Sequence, residues 1–435
     1  MIMSQKNRVG LSDHRRFVGR LSRRQMILSG AAAAMTSALG TGIGTAQVAP
    51  TTTIAPFRVA VPQAALDDLK RRLDSARWPE RETEDGWAQG VPLDRLQQLV
   101  EYWRTHYNWR RFEAQINVYP QFREEIDGLG IHFLHVKSRH ENALPIVLTH
   151  GWPGSVIEFL KVIGPLTDPT TNGGREEDAF HVIIPSLPGF GFSDKPSQSG
   201  WHIGRIARAW GELMRTLGYT RWVAQGGDFG AFVSNTLALQ KPPGLLAVHL
   251  NLPLAVPDPL PSEGKDEAER QAIAAMSRHT TDGSGYSHMH ATRPQTLGYS
   301  LSDSPVGLAA WIYEKFHAWN DHSGAPESAL SRDEMLDDIT LYWLTNTAAS
   351  SARLYRECAQ NGYTPNQGVV DFPVGLSIFP KEVYRAPRSW VDRVYPNLIH
   401  WNELNRGGHF AAFEEPALFT SELRTCFQNV RNANR

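Results

Sequence analysis

Two rhythms of apolar and polar positions divide the chain. Within 62–76, Ala65, Leu66, Leu69 and Leu73 recur at helical spacing, and Trp78-Pro79 closes the stretch. Within 93–107, Leu96, Leu99, Val100 and Trp103 form a second stripe, with Arg95, Glu101 and Arg104 turned to water. Both segments read as helices, and the aromatic residues of the second serve packing. From 116 onward short apolar runs alternate with turns. The runs 116–122 and 131–136 read as paired strands joined through Asp127-Gly128. The runs 144–149 and 180–184 are nearly continuous in apolar residues, as in strands buried on both faces, and 222–224, 245–252, 374–379 and 398–404 read as further strands. A helical stretch at 205–217 precedes the third of them, and another at 231–239 follows it. Strands alternating with helices imply a mostly parallel sheet with right-handed crossovers, flanked by helices. Between 256 and 342 the strand rhythm stops. That segment is helical and polar, with helices at Trp311-Ile312-Tyr313 and 335–344, and reads as a cap inserted over the sheet. The expected divisions are 1–50 (leader and linker), 51–115 (N-terminal helical extension), 116–255 (first part of the core), 256–345 (cap) and 346–435 (second part of the core).

At 435 residues the chain is long enough for one large α/β domain with an insertion and an appendage. Hydrophobic residues are 41% and charged residues 20%, the balance of a soluble globular protein. Lys plus Arg is 44 against 45 for Asp plus Glu, so no global field favours nucleic acid or an anionic membrane. No Gly-rich loop has the form that cradles phosphate. Cys358 and Cys426 make no disulfide framework, and without a CxxC or Cys/His cluster they suggest no metal; their pairing stays open. Residues 1–50 stand apart. Arg8, Arg15, Arg16, Arg20, Arg23 and Arg24 precede an uncharged Ala/Gly/Thr segment, and the string Ser22-Arg23-Arg24-Gln25-Met26-Ile27-Leu28 resembles a twin-arginine export signal. It departs from that pattern at Met26 and Leu28. Gly44-Thr45-Ala46 offers small residues for cleavage. The expectation is export to the periplasm or beyond, with an uncleaved signal acting as an anchor as the variant outcome.

The chemistry centres on Gly226-Gly227-Asp228-Phe229-Gly230. An apolar run precedes it and a helical stretch follows, the strand–turn–helix form of the nucleophile elbow in α/β hydrolases. The residue thrust outward is a carboxylate, not a serine. Attack by a carboxylate on carbon gives an alkyl ester that must later be hydrolysed, which suits epoxides and alkyl halides and disfavours amides. His409 follows the last strand, where such folds place their base, and Glu382 follows the preceding strand. The order 228, 382, 409 is the nucleophile–acid–histidine order of the fold. Asp371 and Asp392 compete with Glu382 for the role of orienting the histidine. The backbone N–H groups of Trp152 and Phe229 are the expected oxyanion donors.

With these strings in view, the chain resembles a microsomal-type epoxide hydrolase over nearly everything after residue 50. Phe57 through Trp78-Pro79 is similar to that family's N-terminal domain. His150-Gly151-Trp152-Pro153-Gly154-Ser155 is similar to its oxyanion loop, Gln225-Gly226-Gly227-Asp228 to its elbow, and 304–312 to its cap motif. The segment 406–415 (RGGHFAAFEE) is similar to its histidine loop. The resemblance implies an α/β-hydrolase fold with a helical cap and two cap tyrosines that hold the epoxide oxygen. By motif these are Tyr286 and Tyr355, with Tyr299 assigned to packing in the cap. It also implies Glu382 as the acid, a small lipophilic epoxide and water as reactants, no metal or organic cofactor, and a part in xenobiotic detoxification. Phe229 stands where Trp is usual, which touches the pocket wall but not the backbone donor. The 13 Trp, 12 Tyr and 18 Phe suit a lipophilic pocket. Two rival readings remain: a haloalkane dehalogenase, which shares the aspartate elbow but needs halide-binding N–H donors, and a non-catalytic binder of lipophilic ligands.

Overall fold

The computed structural model describes residues 54–432, so the expected export segment over 1–50 lies outside the described residues. Nine strands form one sheet: β1 Ala55–Phe57, β2 Gln121–Ile126, β3 Leu129–Val136, β4 Leu144–Thr149, β5 Phe180–Pro185, β6 Trp222–Gly226, β7 Leu245–Leu250, β8 Val374–Ile378 and β9 Leu398–Glu403. Their order across the sheet is β1-β2-β3-β5-β4-β6-β7-β8-β9. The first three and β5 pair antiparallel, and β5 to β9 pair parallel. The central strands β4 and β6 are buried along their whole length. Their apolar runs lack alternation because helices cover both faces. The helix Ile203–Thr216 illustrates the cover: Ile206, Trp210, Leu213 and Met214 line its buried stripe.

Several boundaries differ from the expected ones. The strand expected at 116–122 begins at Gln121, because Trp109–Ile116 is a helix. Asn108 caps it by accepting from the Arg110 N–H, and Trp109, Phe112 and Ile116 form its buried stripe. The N-terminal extension is also more than helical, since it donates β1 to the sheet edge by pairing with β2. Helices cover the C-terminal ends of the strands from Glu267–Arg278 through Ala348–Gln360, so the helical insertion runs past the expected limit at 345. The last of these helices packs along Gly285–Thr292 and Pro294–Asp303, and so belongs with the cap. Tyr299, expected in cap packing, is instead 72% exposed. Cys358 and Cys426 are both free and buried.

The N-terminal helices hold the cap in place. Arg111 and the Tyr107 hydroxyl both donate to Asp337, at 2.6 and 2.8 Å, and Trp87 stacks on His317 with ring centroids 3.7 Å apart. The helix Arg332–Thr345, fixed this way from outside, sends Tyr342 inward to donate to the Gly154 carbonyl at 2.8 Å. Extension, cap and oxyanion loop are thereby one connected packing unit.

Candidate active site

The turn between β6 and the helix Asp228–Gln240 places Asp228 at φ +47°, in the left-handed region that side chains other than glycine seldom adopt. Such a residue costs of order 1–3 kcal/mol, so the surroundings must enforce it. They do so by close approach. A Cβ at Gly226 would overlap the Gly230 carbonyl, and one at Gly230 would overlap the Thr149 carbonyl on β4. Glycines at these positions let strand, turn and helix meet in the space of a backbone.

The loop after β4 brings Trp152 to the carboxylate, and its N–H donates to Asp228 Oδ1 at 2.9 Å. Any side chain at Gly151 would run into the same carboxylate. The Phe229 N–H lies in the first turn of the helix, where no intrahelical acceptor exists. On the other side, His409 Nε2 is 3.4 Å from Asp228 Oδ2, and its Nδ1 is 2.6 Å from Glu382 Oε1. Glu382 Oε1 also accepts from the Val383 N–H at 2.8 Å, which fixes the carboxylate. His409 donates its own backbone N–H to the Trp319 carbonyl at 2.9 Å, tying the histidine loop to the cap. Asp371 and Asp392 are exposed, and Asp392 pairs with Arg388, so neither meets the histidine.

Charge sets the protonation of this array. Burial on its own would push the His409 imidazole down, but Glu382 and Asp228 together raise it well above its ordinary value. The resting site therefore holds an imidazolium between two carboxylates. Tyr286 and Tyr355 come from the cap helices Gly285–Thr292 and Ala348–Gln360. Burial raises both phenols, Asp228 adds to each, and for Tyr355 the neighbouring Tyr286 adds more. Both stay protonated at any ordinary pH. The Trp152 ring stacks on Tyr286 at 5.0 Å, Tyr355 meets Tyr286 edge-on at 5.7 Å, and Phe229 meets Tyr355 at 4.6 Å. The side chain of Phe229 thus forms part of the wall that supports Tyr355.

A cavity of about 130 Å³ joins Asp228, His409 and Tyr286, with Phe232, Leu254, Met276 and Trp319 among its apolar lining. The structure brings together all five side chains expected from the sequence. Sequence reasoning missed Trp319 and Lys315. Lys315 is buried, with its ammonium 4.4 Å from the centre of the Tyr286 ring, a cation over a π face. Both residues sit on the helix Pro305–Trp319, one turn apart; the spacing from Trp311 carried a signal for Trp319 only. Among the described residues, no group of three or more His, Cys, Asp or Glu side chains is arranged to hold a metal.

The N-terminal part of the chain, residues 54–159, matches the family model described as "Epoxide hydrolase N terminus", and residues 145–298 match the model for the alpha/beta hydrolase fold. A Stigmatella aurantiaca protein named "Putative epoxide hydrolase" is 63% identical over 378 residues, 87% of this chain and 86% of that one. Epoxide hydrolase 1 of Sus scrofa is 36% identical over 398 residues, 85% and 88% of the two chains. Among solved structures, the Aspergillus niger epoxide hydrolase superposes with a TM-score of 0.77 at 36% identity, covering 87% of this chain and 97% of that one.

Proposed function

The chain belongs to the epoxide hydrolase family, and from that premise we propose that it converts lipophilic epoxides to vicinal diols in two covalent steps at Asp228. The observation that carries this reading is the double engagement of one carboxylate. Oδ1 accepts from the Trp152 N–H at 2.9 Å while Oδ2 faces His409 at 3.4 Å, inside a cavity that Tyr286 closes.

In the first step Asp228 Oδ2 attacks a ring carbon, and the strained carbon–oxygen bond breaks. The departing oxygen takes a proton from the Tyr286 or Tyr355 hydroxyl, leaving a phenolate and a hydroxyalkyl ester. Esterification consumes the charge on Asp228, so His409 loses one of the two carboxylates that hold it as an imidazolium. Its proton returns, through solvent, to the phenolate. The neutral imidazole, oriented by Glu382, then takes a proton from water as the water oxygen bonds to Asp228 Cγ. The oxyanion forms on Oδ1, already within reach of the Trp152 N–H, with the Phe229 N–H as second donor; each donor is worth about 3 kcal/mol of barrier. Collapse breaks the ester bond, the diol oxygen takes the proton from His409, and the new Asp228 acid returns a proton to the imidazole. The resting pair is restored and the sum is epoxide plus water to diol.

The apolar lining supports a lipophilic substrate, and the cavity volume suits a compact one. The test is turnover of styrene oxide to its diol beside a 1-haloalkane. Diol without chloride release is the expected result. Chloride release with no diol would move the assignment to the dehalogenase reading, and ligand binding with neither product would move it to a non-catalytic role.

A further inference from the structure

A second, much smaller chamber of about 10 Å³ shares Asp228 and His409 with the substrate cavity but none of its apolar wall. That volume is the size of one water molecule's accessible space. Glu158, Gln225 and Asn251, none of them used by the steps above, also line it. Gln225 Nε2 donates to Asn251 Oδ1 at 2.8 Å, while Gln225 Oε1 is fully buried without a hydrogen-bond partner. A buried, unpaired acceptor is costly, and a site of this size with several polar walls is where one ordered water belongs. Glu158 enters from the turn after the oxyanion loop, and its carboxyl occupies the space that a side chain at Gly154 would need. Among the described residues no cation pairs with Glu158. Burial raises its pKa well above the ordinary range, and the neighbouring carboxylates of Asp338, Asp228 and Glu414 act the same way, against His409 alone. These influences favour the neutral acid form of Glu158, which can donate as well as accept.

We propose that this chamber holds the hydrolytic water against the Asp228 ester, with Glu158 and Gln225 as the residues that position it. The inference rests on the two-step reading and adds the source of its water. During the first step the substrate fills the apolar cavity, and a water approaching from that side would have to pass the alkyl group. A separate chamber with Glu158, Gln225 and Asn251 among its walls, meeting the same Asp228 and His409, avoids the obstruction. One water proton goes to His409 Nε2 as the oxygen bonds to Asp228 Cγ. The other O–H donates to Gln225 Oε1, and the Glu158 hydroxyl donates to the oxygen's remaining lone pair. The step leaves an imidazolium at His409, held by Glu382, and an oxyanion on Asp228 Oδ1, held by the Trp152 and Phe229 N–H groups.

Single-turnover kinetics with excess enzyme and styrene oxide separate ester formation from ester hydrolysis. Glu158→Leu should slow hydrolysis at least about tenfold, the loss of one hydrogen bond to the reacting water, and leave ester formation within about twofold. Glu158→Gln should recover most of the lost rate, because the amide restores a donor and an acceptor where a purely structural filler would gain nothing. Unchanged hydrolysis in Glu158→Leu, equal slowing of both steps, or a Gln variant as slow as the Leu variant would overturn the proposal. Should Glu158→Leu fail to fold, Gln225→Leu removes the unpaired acceptor from the same chamber and is read by the same criteria. The wild-type chain run in ¹⁸O-water separates the two levels. Label entering Asp228 upholds the ester on which the chamber depends, and its absence would bring down the two-step reading and the chamber's role together.

Discussion

Replacing Glu382 by Gln keeps the shape of the site and removes one charge. In the native site Glu382 Oε1 accepts from His409 Nδ1 at 2.6 Å, both groups are buried, and neither Asp371 nor Asp392 is placed to substitute. A hydrogen bond with a charged partner contributes about 1.5–3 kcal/mol, so its loss corresponds to roughly 10- to 150-fold in rate. That loss should fall on one half-reaction only. His409 has no part in ring opening, which uses Asp228 and the phenols. It does accept the water proton in ester hydrolysis, where Glu382 stabilises the imidazolium as it forms. Rapid mixing with excess enzyme, followed by quenching and mass analysis, should show the ester forming within about threefold of the native rate and decaying roughly 10- to 150-fold more slowly. The imidazole pKa of the resting enzyme, followed by NMR, should fall at the same time, since Glu382 is the largest influence raising it. Equal slowing of formation and decay, or decay at the native rate, would refute the reasoning.

Tyr286→Phe and Tyr355→Phe should each slow ester formation by roughly one order of magnitude or more, the scale of a lost proton donor, and leave ester decay unchanged. The same single-turnover experiment reads both, and parallel slowing would mean that the phenols only shape the pocket. A stability prediction concerns His132, fully buried between Ser186 Oγ and Gln121 Oε1, with its pKa pushed down by burial to about 3. A folded pKa below the unfolded value of roughly 6.5 stabilises the native state above pH 6.5, and that contribution is lost as pH falls toward 3. At pH 5 the loss is about 2 kcal/mol relative to pH 8. Urea unfolding should therefore show His132→Gln gaining about 2 kcal/mol on the native chain between those two pH values. A difference independent of pH would contradict the shift.

Much of this arrangement is legible in the residues. The central strands announce themselves because burial on both faces leaves no room for polar positions, and β4 begins and ends where its apolar run does. The elbow is legible because its glycines are required by contacts of backbone with backbone. The edges of the fold are less so. β1 is three residues long and owes its conformation to pairing with β2, a partner more than sixty positions away, so no local pattern marks it. The helix Trp109–Ile116 did carry a signal in its cap and its apolar spacing, but the β-branched Ile116 and Val118 beside Tyr119 and Phe122 suggested a strand. Tyr355 lies on a helix that the boundary at 345 assigned to the core, and the family resemblance rather than periodicity placed it in the cap. Lys315 is a charged residue whose burial is decided by tertiary packing, and a sequence offers no sign of that, nor of the chamber that Glu158 lines.

The central claim is that Asp228 carries the substrate as an ester between two chemically distinct steps. His409→Gln removes the group that hydrolyses the ester and leaves the carboxylate and phenols in place. Mixed with styrene oxide and digested, this variant should yield a peptide containing Asp228 that is heavier by the mass of one styrene oxide, with less than one diol formed per enzyme. Continued diol production with an unmodified Asp228 peptide would contradict the account.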